Sequence, residues 1–128
     1  MNATKNLILL ILLMLLSFGG FAQIPDDIIL SLKSGDGKKL AGYFNENIEM
    51  VILEKDDVYS KPQAEQIVKD FFKNHTPTGF SILHQGGKED AKYAIGKLNN
   101  GKGSFRVYFL LKKKGNKTYI HQLRIEKE

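Results

Sequence analysis

Three histidines, His75, His84 and His121, are the side chains of this sequence best suited to acid–base chemistry. An imidazole titrates close to neutral pH, so it can act as a base or as an acid. Alternation assigns His84 and His121 to strand faces that are otherwise apolar, whereas His75 follows a predicted helix. Two interpretations of His84 and His121 stay open. They are acid–base groups of a pocket, or they are neutral histidines at the edge of the core.

Other reactive motifs are missing from the sequence. The chain has no cysteine, which excludes thiolate metal sites, and three dispersed histidines do not supply the convergent ligands that a metal needs. No phosphate-binding loop or dinucleotide fingerprint occurs. The carboxylates of Glu49 and Glu126 alternate away from the apolar residues Met50 and Ile125. We therefore expect no metal, no cofactor and no assignable catalytic residue.

The first 22 residues have the pattern of a secretory signal peptide. Lys5 precedes an apolar run over residues 7–16, and the small residues Gly20 and Ala22 follow it. The run is shorter than the ~20 residues that a membrane-spanning helix needs. We expect cleavage near Ala22, a periplasmic or secreted location, and a mature chain without a transmembrane segment.

Residues 23–128 have the size of a single domain. Their charge is unevenly distributed, because residues 23–87 contain 7 basic and 10 acidic side chains, whereas residues 88–128 contain 11 and 4. A basic C-terminal third could attract a polyanion, but nucleic acid is not an expected partner outside the cytoplasm. Lysines on exposed strands also prevent edge-to-edge pairing.

Hydrophobic periodicity predicts helices before strands. A first helix starts near Pro25 and stops at Gly35, and a second covers residues 38–44. A strand over residues 48–54 precedes a helix with a capping box formed by Ser60 and Gln63. Short glycine- and asparagine-containing connections then separate four strands of an antiparallel meander, over residues 80–86, 92–98, 104–113 and 118–127.

Alternation separates the two faces of this meander. Phe105 and Val107 represent the predicted core face, together with His121, Leu123 and Ile125 of the last strand. The opposite face carries aromatic and arginine side chains, which are favoured at protein interfaces. The predicted interface of a homodimer consists of Arg106, Tyr108, Leu110 and Ile120.

The segments "LAGYFNENIEMVI" and "YSKPQAEQIVKDFF", followed by the meander, resemble the nuclear transport factor 2-like fold. This resemblance implies an α+β cone of the cystatin-like type, in which a curved antiparallel sheet wraps around N-terminal helices. The segments "YFNENIEM", "FSILHQGG" and "YAIG" also resemble a family of short secreted proteins of Gram-negative bacteria, whose function is unknown. In such a cone, Phe71 and Phe72 are expected to pack on the Phe105 side of the sheet.

The resemblance also implies a place for a ligand at the wide end of the cone. The candidate pocket residues are Phe44, Met50, Phe71, Tyr93, His84 and His121. An apolar site with a few hydrogen-bonding groups would suit a small apolar ligand. Three functions therefore stay open. They are a non-enzymatic domain that binds a small apolar ligand or a protein partner, a small enzyme that uses His84 or His121, and a structural module that dimerises.

The signal-peptide assignment makes a direct prediction. The exported protein should start near Gln23, because the preceding charge, apolar run and small residues serve export rather than folding. N-terminal sequencing of the exported protein measures this. An exported protein that retains Met1 would contradict the assignment.

Overall fold

The computed structural model describes residues 2–17 and 24–128. The predicted cleavage site at Ala22 and the small residue Gly20 lie outside the described residues. Helix α1 (Asn2–Ser17) covers most of the predicted signal segment, and its side chains are exposed over residues 2–11. Over the two described ranges, no helix combines the length and the apolar character needed to cross a membrane.

Three helices of the domain begin and end at local sequence signals. Helix α2 (Asp26–Ser34) ends at Gly35, which has a φ of 70°. A Cβ atom at Gly35 would lie 2.8 Å from Cδ of Pro77, so the position requires glycine for space as well as for conformation. Helix α3 (Gly37–Ala41) follows directly. Helix α4 (Lys61–Asn74) has the predicted capping box of Ser60 and Gln63.

Six strands form one sheet with the order β2-β1-β6-β5-β4-β3. Neighbouring strands are antiparallel except for β1 and β6, which pair in parallel. The predicted α+β class and four-stranded meander are confirmed. The strands are β1 (Phe44–Ile52), β2 (Lys55–Ser60), β3 (Pro77–Lys88), β4 (Ala91–Asn100), β5 (Gly103–Lys114) and β6 (Lys117–Lys127).

Strand β1 begins earlier than the sequence pattern indicates. Phe44 belongs to the strand and not to the preceding helix. Phe44 pairs with Ile120 of β6. The N–H of Ile120 donates to the carbonyl of Tyr43, the residue before Phe44, at 2.7 Å. This pairing across the sheet outweighs the helical spacing of the local apolar residues.

The inner face of the sheet and the helices form one hydrophobic core. The ring of Phe71 in α4 packs edge-on against Phe105 of β5, with 5.2 Å between the ring centroids, as the sequence predicts. Phe72 is also buried, with 5% of its surface exposed. Full burial of such a side chain stabilises the fold by ~1.5–3 kcal/mol. The main residues of this core are Ile28, Leu32, Leu40, Phe44, Ile48, Met50, Val68, Phe109 and Leu123.

A β-bulge in β6 reverses the predicted orientation of one residue. Leu110 pairs with Gln122, but the next residue, Leu111, pairs with Ile120. His121 is therefore the extra residue, and it changes the alternation of the strand. Ile120 is consequently fully buried. The expectation that it lies in an outward-facing interface is wrong.

A second bulge moves His84 to the other face of the sheet. Ile82 pairs with Gly96 and His84 pairs with Ile95, so Leu83 is the extra residue of β3. His84 therefore does not share a face with Phe80 and Ile82, as simple alternation suggests, and its side chain is exposed. The bulge also leaves Leu83 62% exposed on this edge strand.

The bulge in β6 predicts an order of stability for two variants. Ile120→Ala should lower the free energy of unfolding by ~2–5 kcal/mol, because it opens a cavity in the core. Tyr119→Ala should cost less, since Tyr119 is only half-buried. Denaturant unfolding measures both changes. A larger loss for Tyr119→Ala would mean that uninterrupted alternation, with Ile120 outside, is correct.

Candidate functional site

The side of the sheet turned away from the helices is the strongest candidate for a functional surface, and we call it the outer face. Paired residues of neighbouring strands form rows across it. One row runs from Val58 through Glu49, Gln122 and Leu110 to Tyr93. The adjacent row consists of Asp56, Val51, Arg124, Tyr108, Ile95 and His84, and Arg106, Glu126 and Lys97 lie beyond it.

Three aromatic rings are coupled on the β3–β5 half of the outer face. The Nε2 atom of His84 lies 3.0 Å from the hydroxyl of Tyr93. The rings of Tyr93 and Tyr108 stack with centroids 6.4 Å apart. A Cβ atom at Gly86 would lie 2.8 Å from the Tyr93 hydroxyl oxygen, so glycine leaves the space that this ring occupies. The result is a fixed aromatic surface on an antiparallel sheet.

Two shallow grooves lie on either side of Gln122 and Arg124, which form a ridge on β6. The β5 groove, of about 400 Å³, is lined by this ridge together with Arg106, Tyr108 and Glu126. The β2 groove, of about 360 Å³, is lined by the ridge and by Glu49, Met50, Val51, Asp56, Asp57 and Val58. One groove therefore has two arginines and one carboxylate, whereas the other has three carboxylates and one arginine.

Hydrogen bonds and an ion pair hold the ridge in place. The Arg124 Nε atom lies 2.9 Å from a carboxylate oxygen of Glu126, and the Gln122 side chain donates a hydrogen bond to the carboxylate of Glu49. Both partners of the ion pair are about half exposed, so the pair contributes little to stability. Its effect is to orient Arg124 between the two grooves.

The six predicted pocket residues do not come together. Phe44, Met50 and Phe71 lie in the core, with at most 4% of their surface exposed. Tyr93 and His84 lie on the outer face, where they contact each other. The remaining candidate, His121, lies in the bulge of β6, three strand spacings from His84, or roughly 14 Å at ~4.8 Å per spacing. The two histidines therefore do not share a pocket.

Three of the four predicted interface residues do come together, unlike the predicted pocket residues. Arg106, Tyr108 and Leu110 lie together on the outer face, whereas Ile120 lies in the core. Sequence alternation alone did not predict that Ile95 and Val51 join them across the sheet, since this depends on the strand order.

The environment of His121 favours a neutral imidazole. Partial burial is the main cause that lowers the pKa of His121 below its usual value of 6.5, and the positive charges of Lys112 and Lys114 lower this pKa further. The carboxylate of Glu49 opposes them. Within residues 2–17 and 24–128, no three His, Cys, Asp or Glu side chains are grouped so that they could hold a metal ion.

A second cleft contains His75, which the sequence analysis did not include among the candidate pocket residues. His75 follows Phe71 and Ile67 at intervals of four residues, so all three lie on one stripe of α4 and its cap. This stripe lines an open cleft of about 900 Å³ at the end of the sheet, which we call the rim cleft. The four-residue spacing could have indicated that this stripe lines a cleft, but the same spacing is equally typical of residues that pack in the core.

A family model described as a domain of unknown function, DUF4783, matches residues 25–126. A crystal structure of a DUF4783 family protein from Bacteroides uniformis is 33% identical, with a TM-score of 0.78, and the match covers 83% of this chain and 98% of that one. The corresponding protein from Bacteroides ovatus is 32% identical, also with a TM-score of 0.78, over 82% and 96%. No protein of curated function matches the chain.

A more distant similarity concerns the fold alone. A designed protein of the NTF2 type is 14% identical, with a TM-score of 0.65, and the match covers 78% of this chain and 90% of that one. These similarities confirm the nuclear transport factor 2-like fold that the sequence predicts.

The lowered pKa of His121 predicts a pH dependence of stability. As the pH falls below 6.5, His121 is protonated more readily in the unfolded chain than in the folded chain. The free energy of unfolding should therefore fall as the pH decreases through this region. His121→Gln should remove this part of the slope, and Lys112→Gln should reduce it. Denaturant unfolding between pH 5 and pH 8, roughly the range in which histidine titrates, measures the slope. Equal slopes for wild type and His121→Gln would contradict the prediction.

Proposed function

This chain belongs to the DUF4783 family, and we propose that its mature domain is an exported, non-enzymatic interaction module that pairs with a second copy of itself through the outer face. The observation that carries the proposal is that this face combines an apolar patch on β4 and β5 with carboxylates on the β1–β2 half and basic side chains on the β4–β5 half. A small domain with one helix-covered sheet face can bury the other face by pairing.

The apolar content of the outer face supports an interface. Tyr93, Ile95, Tyr108 and Leu110 are only half-buried in the single chain, and Val58 is 58% exposed. The four residues of β4 and β5 form a contiguous apolar patch, and patches of this kind mark interaction sites. Arginine and tyrosine, as with Arg106 and Tyr108, are typical of protein interfaces.

The size of the face fits a stable dimer. Six strands at ~4.8 Å spacing, with about ten residues each at ~3.3 Å per residue, present roughly 800 Å². Stable protein interfaces bury about 800 Å² per partner. The outer face is therefore large enough for one partner of the same size, without any contribution from the helices.

The charges of the two grooves favour a second copy over an unrelated partner. A twofold axis in the interface plane, parallel to β6, places the β1–β2 half of one copy over the β4–β5 half of the other. The rows stay in register, so Arg124 lies over Arg124 of the other copy, and each Arg124 is paired with the Glu126 of its own chain. Asp56 lies over Ile95 of the other copy. Arg106 and Lys97 lie one row away from this Ile95 on the same half. Complementary charges of this kind favour the correct partner and orientation.

The location outside the cytoplasm is part of the same proposal. It is supported by the charge and apolar run of residues 1–22, and by a family match that starts at residue 25, after that segment. The proposed mature chain, cleaved near Ala22, has no cysteine, so packing and pairing must stabilise it without disulfides.

The homodimer makes a prediction about charge reversal. Arg106→Glu should weaken the dimer by about tenfold or more, because it replaces the cation near Asp56 of the other copy by a carboxylate at two symmetry-related positions. Asp56→Lys should weaken it for the same reason. The double variant Arg106→Glu/Asp56→Lys should recover much of the loss, since it restores opposite charges. Sedimentation velocity measures the dimer affinity of each variant.

Lys38→Glu provides the matched control, because Lys38 is an exposed residue of α3 on the helical side of the molecule. It should leave the dimer affinity unchanged. A wild-type domain that stays monomeric at micromolar concentrations would overturn the proposal. A double variant as weak as the sum of the single variants would overturn the twofold arrangement in which the β1–β2 half of one copy covers the β4–β5 half of the other.

A further inference from the structure

The rim cleft, which the proposed dimer does not require, lies between three elements at one end of the sheet. The C-terminal part of α4 forms one wall, and the turn at Leu53 and Glu54 forms the opposite wall. The end of β6, with Lys127, closes the third side. A volume of about 900 Å³ lies within the range of small-molecule sites.

The floor of the rim cleft is apolar and held in place. Ile67 and Phe71 contribute from α4, and Leu53 contributes from the β1–β2 turn. Leu53 has a φ of 55°, which is unusual for a branched side chain. Its N–H donates to the carbonyl of Ile125 at 3.0 Å, which holds the turn against β6. Backbone conformations of this kind are concentrated at ligand sites and similar functional positions.

His75 adds an oriented polar group to this floor. Its Nδ1 atom lies 3.1 Å from the carbonyl oxygen of Phe71. A carbonyl only accepts hydrogen bonds, so Nδ1 carries the proton and the Nε2 atom of the neutral ring is an acceptor. The ring stacks on Phe71 at 4.7 Å and meets Phe105 edge-on at 5.2 Å. The imidazole is therefore fixed in both tautomer and direction.

Charges of both signs line the rim cleft, but they are unevenly distributed between its walls. Glu126 is paired with Arg124 at 2.9 Å. The Asp70 carboxylate, which belongs to the α4 wall, accepts a hydrogen bond from Gln66 at 3.1 Å, and this bond does not neutralise its charge. Lys55 and Lys127 have no ion-pair partner in the part of the chain that the structure describes. On the walls formed by the β1–β2 turn and β6, these two lysines are opposed by one carboxylate without a described ion-pair partner, Glu54, so this side of the cleft favours an anion.

We propose that the rim cleft binds a small carboxylate that has an apolar body and one N–H or O–H donor. The apolar body lies on Ile67, Phe71 and Leu53, and the donor binds Nε2 of His75. The carboxylate lies towards Lys55 and Lys127. Each of the three ligand features thus has a matching group in the cleft, which is how small-molecule sites fix orientation.

The experiment uses two probes that share an aromatic body and an amide N–H and differ in the terminal group, which is a carboxylate in one and a neutral carboxamide in the other. N-acetylphenylalanine has an aromatic body, an amide N–H and a carboxylate, and N-acetylphenylalanine amide lacks the carboxylate. Each is titrated into isotope-labelled mature domain, and the methyl signals of Ile67 and Leu53 and the ring signals of His75 are followed by NMR. We expect saturable shifts of these signals, with tighter binding of the carboxylate.

Two variants separate the contributions of charge and acceptor. Lys55→Glu/Lys127→Glu should weaken binding of the carboxylate by about tenfold and leave the amide unchanged. His75→Phe keeps an aromatic ring but removes the acceptor, so it should weaken both probes. Lys88→Glu, on the opposite edge strand β3, is a charge-reversal control outside the cleft and should change neither affinity.

Three results would overturn the proposal. The first is the absence of saturable shifts with either probe. The second is equal affinity for the two probes in the wild type, and the third is equal weakening of both by Lys55→Glu/Lys127→Glu. Unfolding temperatures of the variants show that any loss of binding is not a loss of fold. The rim cleft shares Val51, Arg124 and Glu126 with the grooves of the outer face, but Lys55 and Lys127 lie outside both grooves. Sedimentation velocity of Lys55→Glu/Lys127→Glu therefore separates a loss of ligand binding from a loss of dimerisation.

Discussion

Helices α2 and α4 must cover the apolar inner face of the sheet, and the other features of the molecule depend on this packing. Phe44, Met50 and Phe109 have almost no exposed surface, so the interior between helices and sheet is occupied by the protein's own side chains at these positions. Close packing of this kind leaves little room for a ligand. Polar and reactive side chains consequently lie on the outer face and in the rim cleft.

The two β-bulges determine which side chains reach these surfaces. One bulge, at His121, turns Ile120 into the core and leaves His121 half-buried beside exposed lysines. The other, at Leu83, turns His84 to the outer face, where it contacts Tyr93. A single extra residue in each strand thus separates two histidines that simple alternation places on one face. The bulge at Leu83 thereby adds His84 to Tyr93 and Tyr108, which the regular register of β4 and β5 already places on the outer face.

Short sequence signals predicted most helices and strands well, because interactions between residues close in the sequence determine where these elements begin and end. Gly35 ends α2 and the capping box at Ser60 begins α4, as their types indicate. The alternation of β5 likewise predicted its buried side. The bulges had no comparable signal, since each depends on the register with a neighbouring strand. The position of Phe44 in β1 depends on its pairing with Ile120, a residue far away in the sequence. The predicted pocket also combined Tyr93 with Met50 wrongly, because the side of β4 that faces the core follows from its register with β5, in which Tyr93 pairs with the outward-facing Leu110.

The proposed pairing of outer faces can be tested by contacts that only a dimer can make. Val58 in β2 and Leu110 in β5 are three strand spacings apart in one chain, or roughly 14 Å at ~4.8 Å per spacing. This distance is too long for a nuclear Overhauser effect. In a mixed dimer of labelled and unlabelled chains, an isotope-filtered experiment should show contacts between the methyl groups of Val58 and Leu110 from different copies. Intermolecular contacts confined to the helices, or none at all, would contradict the account.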